Sequence, residues 1–296
     1  DTGAMSGAVE VDIAEGGLFM MGGSGMNTSA TIGHEKVGSS TTMNGSVDVD
    51  VRKGNITLTG GTGAYANATI GHAGRSGTST SNGNVTVIAG EGDITLNGGN
   101  GTLSTNFATA RIGHGGWESG DKTGIITVTA SDGSILVQGG LGNTTTSTYN
   151  FAQIGHGGYG NGATQNIVDQ AIHVTAGNGD VTVNGGTGRS NFGQIGHGGL
   201  GLTNFFLGSF GGEITVLASG AVAVNGGTQV NTHAQIGHGG AGVLPTGAGT
   251  VHGNVTVKAG GAVSLKGGTQ TSAHAQIGNG GSGVKAPLSG SVLVES

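Results

Sequence analysis

Apolar and polar residues alternate along this chain in short runs, and glycine pairs separate the runs. From Asn254, Val255-Thr256-Val257-Lys258-Ala259 reads as a half-buried strand. Gly260-Gly261 follows, where the chain can turn with positive φ. Val263-Ser264-Leu265 is a second short strand, closed by Gly267-Gly268, and after a polar spacer Ala275-Gln276-Ile277 is a third. Gly278, Gly280 and Gly281 interrupt it, and a variable loop leads on to Val292-Leu293-Val294. Earlier first strands are Val9–Ile13, Val47–Val51, Val85–Ala89, Ile126–Ala130, Ile172–Ala176 and Ile214–Ala218. Second strands are Leu18–Met21, Ile56–Thr59, Ile94–Asn97, Ile135–Gln138, Val181–Asn184 and Val222–Asn225, each followed by Gly-Gly. No segment has the spacing and length of a helix, although Phe205–Phe210 is an ambiguous apolar insertion.

The third strand carries Ile-Gly-His, beginning at Ile32, Ile70, Ile112, Ile154, Ile195 and Ile236, and returning as Ile277-Gly278-Asn279. The intervals are 38, 42, 42, 41, 41 and 41 residues. A fixed period makes the chain a stack of similar units. Strands this short are unstable as isolated hairpins, but each can bond its copies above and below at a rise of roughly 4.8 Å. The expected fold is all-β: a right-handed parallel β-helix (β-solenoid) of about seven coils of roughly 41 residues, one coil per repeat. Its axis would span roughly 34 Å, and a rival with two coils per repeat would double that. Residues 1–296 read as one solenoid domain, with Val292–Val294 opening an eighth unit. No capping element is visible, so the expectation is a segment of a longer chain or an uncapped unit that stacks end to end.

Composition narrows the function. Of 296 residues, 69 are glycine and 2 proline, which excludes collagen. Charged residues are 9% and the net charge is −6, with no polybasic cluster, so a nucleic-acid footprint is not expected. No apolar run approaches a membrane span. The chain has no cysteine, which removes disulfides and thiolate chemistry and fits export through an oxidising compartment.

On stacked coils, His34, His72, His114, His156, His197, His238 and Asn279 would form one column. A structural reading makes it a hydrogen-bonded ladder, since imidazole and the asparagine amide each offer a donor and an acceptor. A metal reading lacks a mixed ligand set: Glu35 and Glu118 are isolated neighbours. A catalytic reading would require one group in one environment, not six copies. The structural ladder is preferred, with no catalytic residue, no metal and no cofactor.

The loops concentrate Trp117, Tyr159, Phe205, Phe206 and Phe210, the first place to seek a partner unless they fold down as lids. Outward threonines, such as Thr86, Thr127, Thr215 and Thr256, fit plain β-propensity better than an ice-binding face. Glu10, Asp12, Asp48 and Asp50 form an acidic patch that reads as a solvated strand face before it reads as a glycosidase pair.

Gly-Asn-Val-Thr-Val at 253–257, Val-Ser-Leu-Lys-Gly-Gly at 263–268 and Ala-Gln-Ile-Gly-His-Gly-Gly at 234–240 resemble the repeats of filamentous-haemagglutinin-like large secreted adhesins of Gram-negative bacteria. The resemblance covers nearly the whole chain. It implies a long β-helical fibre, secreted or held at the bacterial cell surface by two-partner or autotransporter export. It also implies adhesion, aggregation or biofilm formation, with host-cell or matrix carbohydrate or protein as partner. The chain departs from that pattern in having no Asn-Pro secretion motif and no Arg-Gly-Asp. The function read here is therefore a structural adhesin shaft, not an enzyme. The alternatives are a self-assembling filament subunit and a carbohydrate-active β-helix enzyme.

Overall fold

The computed structural model describes residues 3–38, 41–101, 106–142, 148–160, 165–201, 208–241 and 249–296. All regular elements among them are β-strands, and every pairing is parallel. The chain is a parallel β-solenoid.

Three ladders run along it. In the first, Val47 lies between Val9 and Val85, and the same register passes through Ile126, Ile172, Ile214, Val255 and Val292. The second joins Leu18, Ile56, Ile94, Ile135, Val181, Val222 and Val263. The third joins Ile32, Ile70, Ile112, Ile154, Ile195, Ile236 and Ile277. Every step is one repeat, so each repeat makes one coil and the two-coil alternative is excluded. Val292–Glu295 pairs with Val255–Ala259 as the first strand of an eighth coil.

Alternation decides what is buried. Val85, Val87 and Ala89 are fully buried while Thr86 and Ile88 between them are only half-buried. Together with Ile94 and Leu96 of the second ladder and Ala110 and Ile112 of the third, they belong to one core that runs the length of the stack. Each buried Val, Ile or Leu adds about 1.5–3 kcal/mol relative to exposure.

Glycine in the motif has a specific cause. Gly113 sits at φ +135°, and a Cβ there would overlap the carbonyl of Gly155 on the next coil. Gly71, one coil earlier, has the same φ and meets the carbonyl of Gly113 in the same way. The position requires both a left-handed backbone and contact with the neighbouring coil.

The segment after the third strand differs from the expected variable loop. Much of it is a fourth set of in-register strands: Thr41–Asn44 pairs with Ala73–Asn82, and Gly157–Gly160, Gly198–Gly201 and Gly239–Ala241 form a ladder of their own. The cause is backbone, not side chain. Copies lying one pitch apart must satisfy their N–H and C=O groups, and they do so with each other even where the residues are glycine. This strap covers the outer face of the third ladder. Arg111, at mid-strand and opposite in direction to the core residues Ala110 and Ile112, is therefore 3% exposed, and Gln153, Gln194 and Gln235 are fully buried.

Candidate functional site: the histidine column and the layer under the strap

Each motif histidine follows the third strand and reaches back to the carbonyl two residues before the first strand of its own coil. Nε2 lies 2.7 Å from the Gly83 carbonyl for His114, 2.7 Å from Gly124 for His156, 2.7 Å from Gln170 for His197 and 3.0 Å from Gly212 for His238. The ring thereby closes the coil. Its other nitrogen joins coils: the backbone N–H of His72 donates to His114 Nδ1 at 3.0 Å, His114 to His156 at 2.9 Å, His156 to His197 at 3.0 Å and His197 to His238 at 3.1 Å. An amide N–H is always the donor, so Nδ1 is the bare acceptor and Nε2 holds the proton. The geometry fixes one neutral tautomer along the column.

Adjacent rings stack with centroids 4.6–5.0 Å apart and planes within 14°. Asn279 ends the series with the same two bonds: its Oδ1 accepts from the His238 N–H at 3.0 Å and its Nδ2 donates to the Gly253 carbonyl at 2.7 Å. Burial pushes His72 and His238 down to about 4, His114 to about 3, and His156 and His197 well below the ordinary imidazole range. An interior ring is neutral at physiological pH with both nitrogens committed to the backbone. A metal ion or a transferred proton would have to displace a bond that holds the coil. Among the described residues, no three His, Cys, Asp or Glu side chains converge as a metal site.

Of the five aromatics expected to form a partner surface, only the Phe210 side chain lies among the described residues. Trp117 and Tyr159 lie on strap strands, with their side chains outside the described residues, as are Phe205 and Phe206. Phe210 is corrected: it is fully buried in a satellite cluster with Ile167, Val251 and Ala286, because its strand is covered by the next coil's Val251. The acidic residues are placed side by side, Glu10 beside Asp48 and Asp12 beside Asp50, and Arg52 bonds both oxygens of Asp12 at 2.9 and 3.1 Å.

A second set of columns was not anticipated. Tyr65, Phe107 and Tyr149 share a register at φ 51–58° and stack at 5.3 and 4.8 Å. Two residues later in the repeat, Phe151, Phe192, His233 and His274 stack at 4.5, 4.6 and 5.2 Å. Alongside runs the glutamine column, in which Gln153 Nε2 donates to the carbonyls of Gly196 and Gly198 at 3.0 and 2.9 Å, tying the third ladder to the strap. The signal was present: aligned on the motif histidine, Phe151, Phe192, His233 and His274 all stand five residues before it. Where that position becomes Thr109 and Asn67, the layer opens into a cleft.

No described helix is long and apolar enough to cross a membrane. Compared with known proteins, the chain matches no family model, no curated sequence and no solved structure.

Proposed function

We propose that this chain is the shaft of a secreted surface adhesin or extracellular fibre, a rod that supports adhesion, aggregation or biofilm formation at a bacterial cell surface without chemistry of its own. The observation that supports this reading is the histidine column. The residues richest in chemical potential are used, coil after coil, to fasten the backbone. A rod built this way lengthens by adding repeats, since each coil needs only its neighbours. The adhesin-like repeats at 234–240, 253–257 and 263–268 point the same way.

The test is surface display on a non-adherent bacterium, scored for sedimentation and for retention on glass and on epithelial cells. Display of the chain should raise one of these above display of a Gly113→Val version. Equal behaviour would reject the reading, and turnover on a polysaccharide panel would replace it with the enzyme alternative.

A further inference from the structure

The layer between the third ladder and the strap is filled unevenly. In four later coils a ring occupies the position five residues before the motif, at Phe151, Phe192, His233 and His274. In the second and third coils that position holds Asn67 and Thr109, whose side chains are hydrogen-bonded to each other at 3.0 Å. The missing rings leave a narrow, half-open cleft of about 30 Å³ beside Phe107 and Phe151, room for a carboxylate-sized group with anything larger lying in its mouth.

Two of the chain's four arginines line this cleft, Arg75 from the strap and Arg111 from the third ladder. The Arg75 guanidinium lies 4.2 Å from the Tyr65 ring centroid, and its Nη1 is buried without a hydrogen-bond acceptor. The Arg111 guanidinium is 5.7 Å from the Phe151 ring and has further contacts of its own, so the inference stands on Arg75. No acidic side chain is among the described residues lining the cleft. Glu35 lines the adjoining one, and its Oε2 already accepts a 2.6 Å bond from Thr31 Oγ1.

A planar fork of N–H donors in a partly closed, apolar-walled space matches one ligand chemistry best, the carboxylate. We propose that this cleft binds a carboxylate group through Arg75, with Arg111 as a second positive charge, the acid group entering beside Phe107 and Phe151 and the rest of the ligand lying in the open mouth. The site holds whether or not the chain is a shaft. A free short acid and the acid group of a uronic sugar present the same chemistry, and the experiment separates them.

Sodium acetate and sodium glucuronate are titrated separately into the full chain, with arginine side-chain NMR signals and calorimetry as readouts. Saturable binding of at least one is expected. Arg75→Gln should weaken it about tenfold or more, by removal of a charged bidentate donor. Thr109→Phe gives the third coil the ring that the fourth coil carries at Phe151, so the chain should fold as before and binding should vanish. Glucuronate binding more tightly than acetate would assign the site to an acidic sugar, and equal affinities would assign it to free carboxylates. Overturning results are no saturable response to either acid up to roughly 50 mM, or binding unchanged in Arg75→Gln. Binding retained in a folded Thr109→Phe protein would also overturn it. Arg75→Gln decides alone if Thr109→Phe does not fold.

Discussion

The histidine column and the layer under the strap are two stacks in one molecule, built under different constraints. The column repeats one pair of bonds at every coil, and even its asparagine reproduces them. The layer outside the third ladder keeps its spacing but changes its filling, from Asn67 and Thr109 to Phe151, Phe192, His233 and His274. The difference lies in what each side chain touches. A motif histidine satisfies buried backbone groups on two coils, so its replacement leaves unpaired polar atoms. A filler residue occupies volume, and volume can be made up by many residues or left open for something else.

The largest effect should come from Gly113→Val. At φ +135° with the Gly155 carbonyl against it, no rotamer relieves the overlap, and cooperative unfolding in urea should be lost.

Acid should come next. The folded-state pKa values of His72, His114, His156, His197 and His238 lie below the unfolded value, so their contribution is complete above about pH 6.5. As pH falls the unfolded chain binds protons first, and stability drops by about 1.4 kcal/mol per pH unit for each buried imidazole. The loss ends only where the folded rings titrate, at about 4 for His72 and His238 and about 3 for His114. The urea midpoint should fall steeply between pH 6.5 and 4.5. His72→Asn should make that slope shallower by one proton.

His156→Leu should cost about 2–5 kcal/mol, because the His114 N–H and the Gly124 carbonyl both lose their partner. His156→Asn, which offers the pair of groups Asn279 uses, should cost about 1 kcal/mol. Under the strap, Phe192→Leu should cost about 1 kcal/mol in the same assay, as an apolar substitution that partly refills its space. Asp12→Asn, which weakens an exposed ion pair with Arg52, should leave the urea midpoint unchanged.

Much of the fold was legible because strand alternation and the period of Ile-Gly-His both report on the backbone. Val47, Val85 and Ile126 had to meet if the coils stacked, and they do. The strap strands were not legible, since glycine-rich segments such as Gly157–Gly160 carry no side-chain period, and their pairing is imposed by the pitch of the coils beneath. The cleft was hidden for the opposite reason. It is an absence, two small residues where later repeats hold rings, and it shows only when the repeats are aligned on the histidine. Phe210 read as a loop aromatic because the strand that covers it, Val251–His252, comes from the next repeat.

The central claim is that matching residues of successive repeats lie one strand spacing apart along a single axis. The chain has no cysteine, so paired spin labels can be placed freely. Labels on cysteines replacing Glu10 and one of Thr127, Thr215 or Thr256 sit three, five or six coils apart in the first ladder. Dipolar spectroscopy should return backbone separations that grow linearly, roughly 14, 24 and 29 Å. Separations that fail to grow with coil number would mean that the repeats are not stacked, and the account would fall with them.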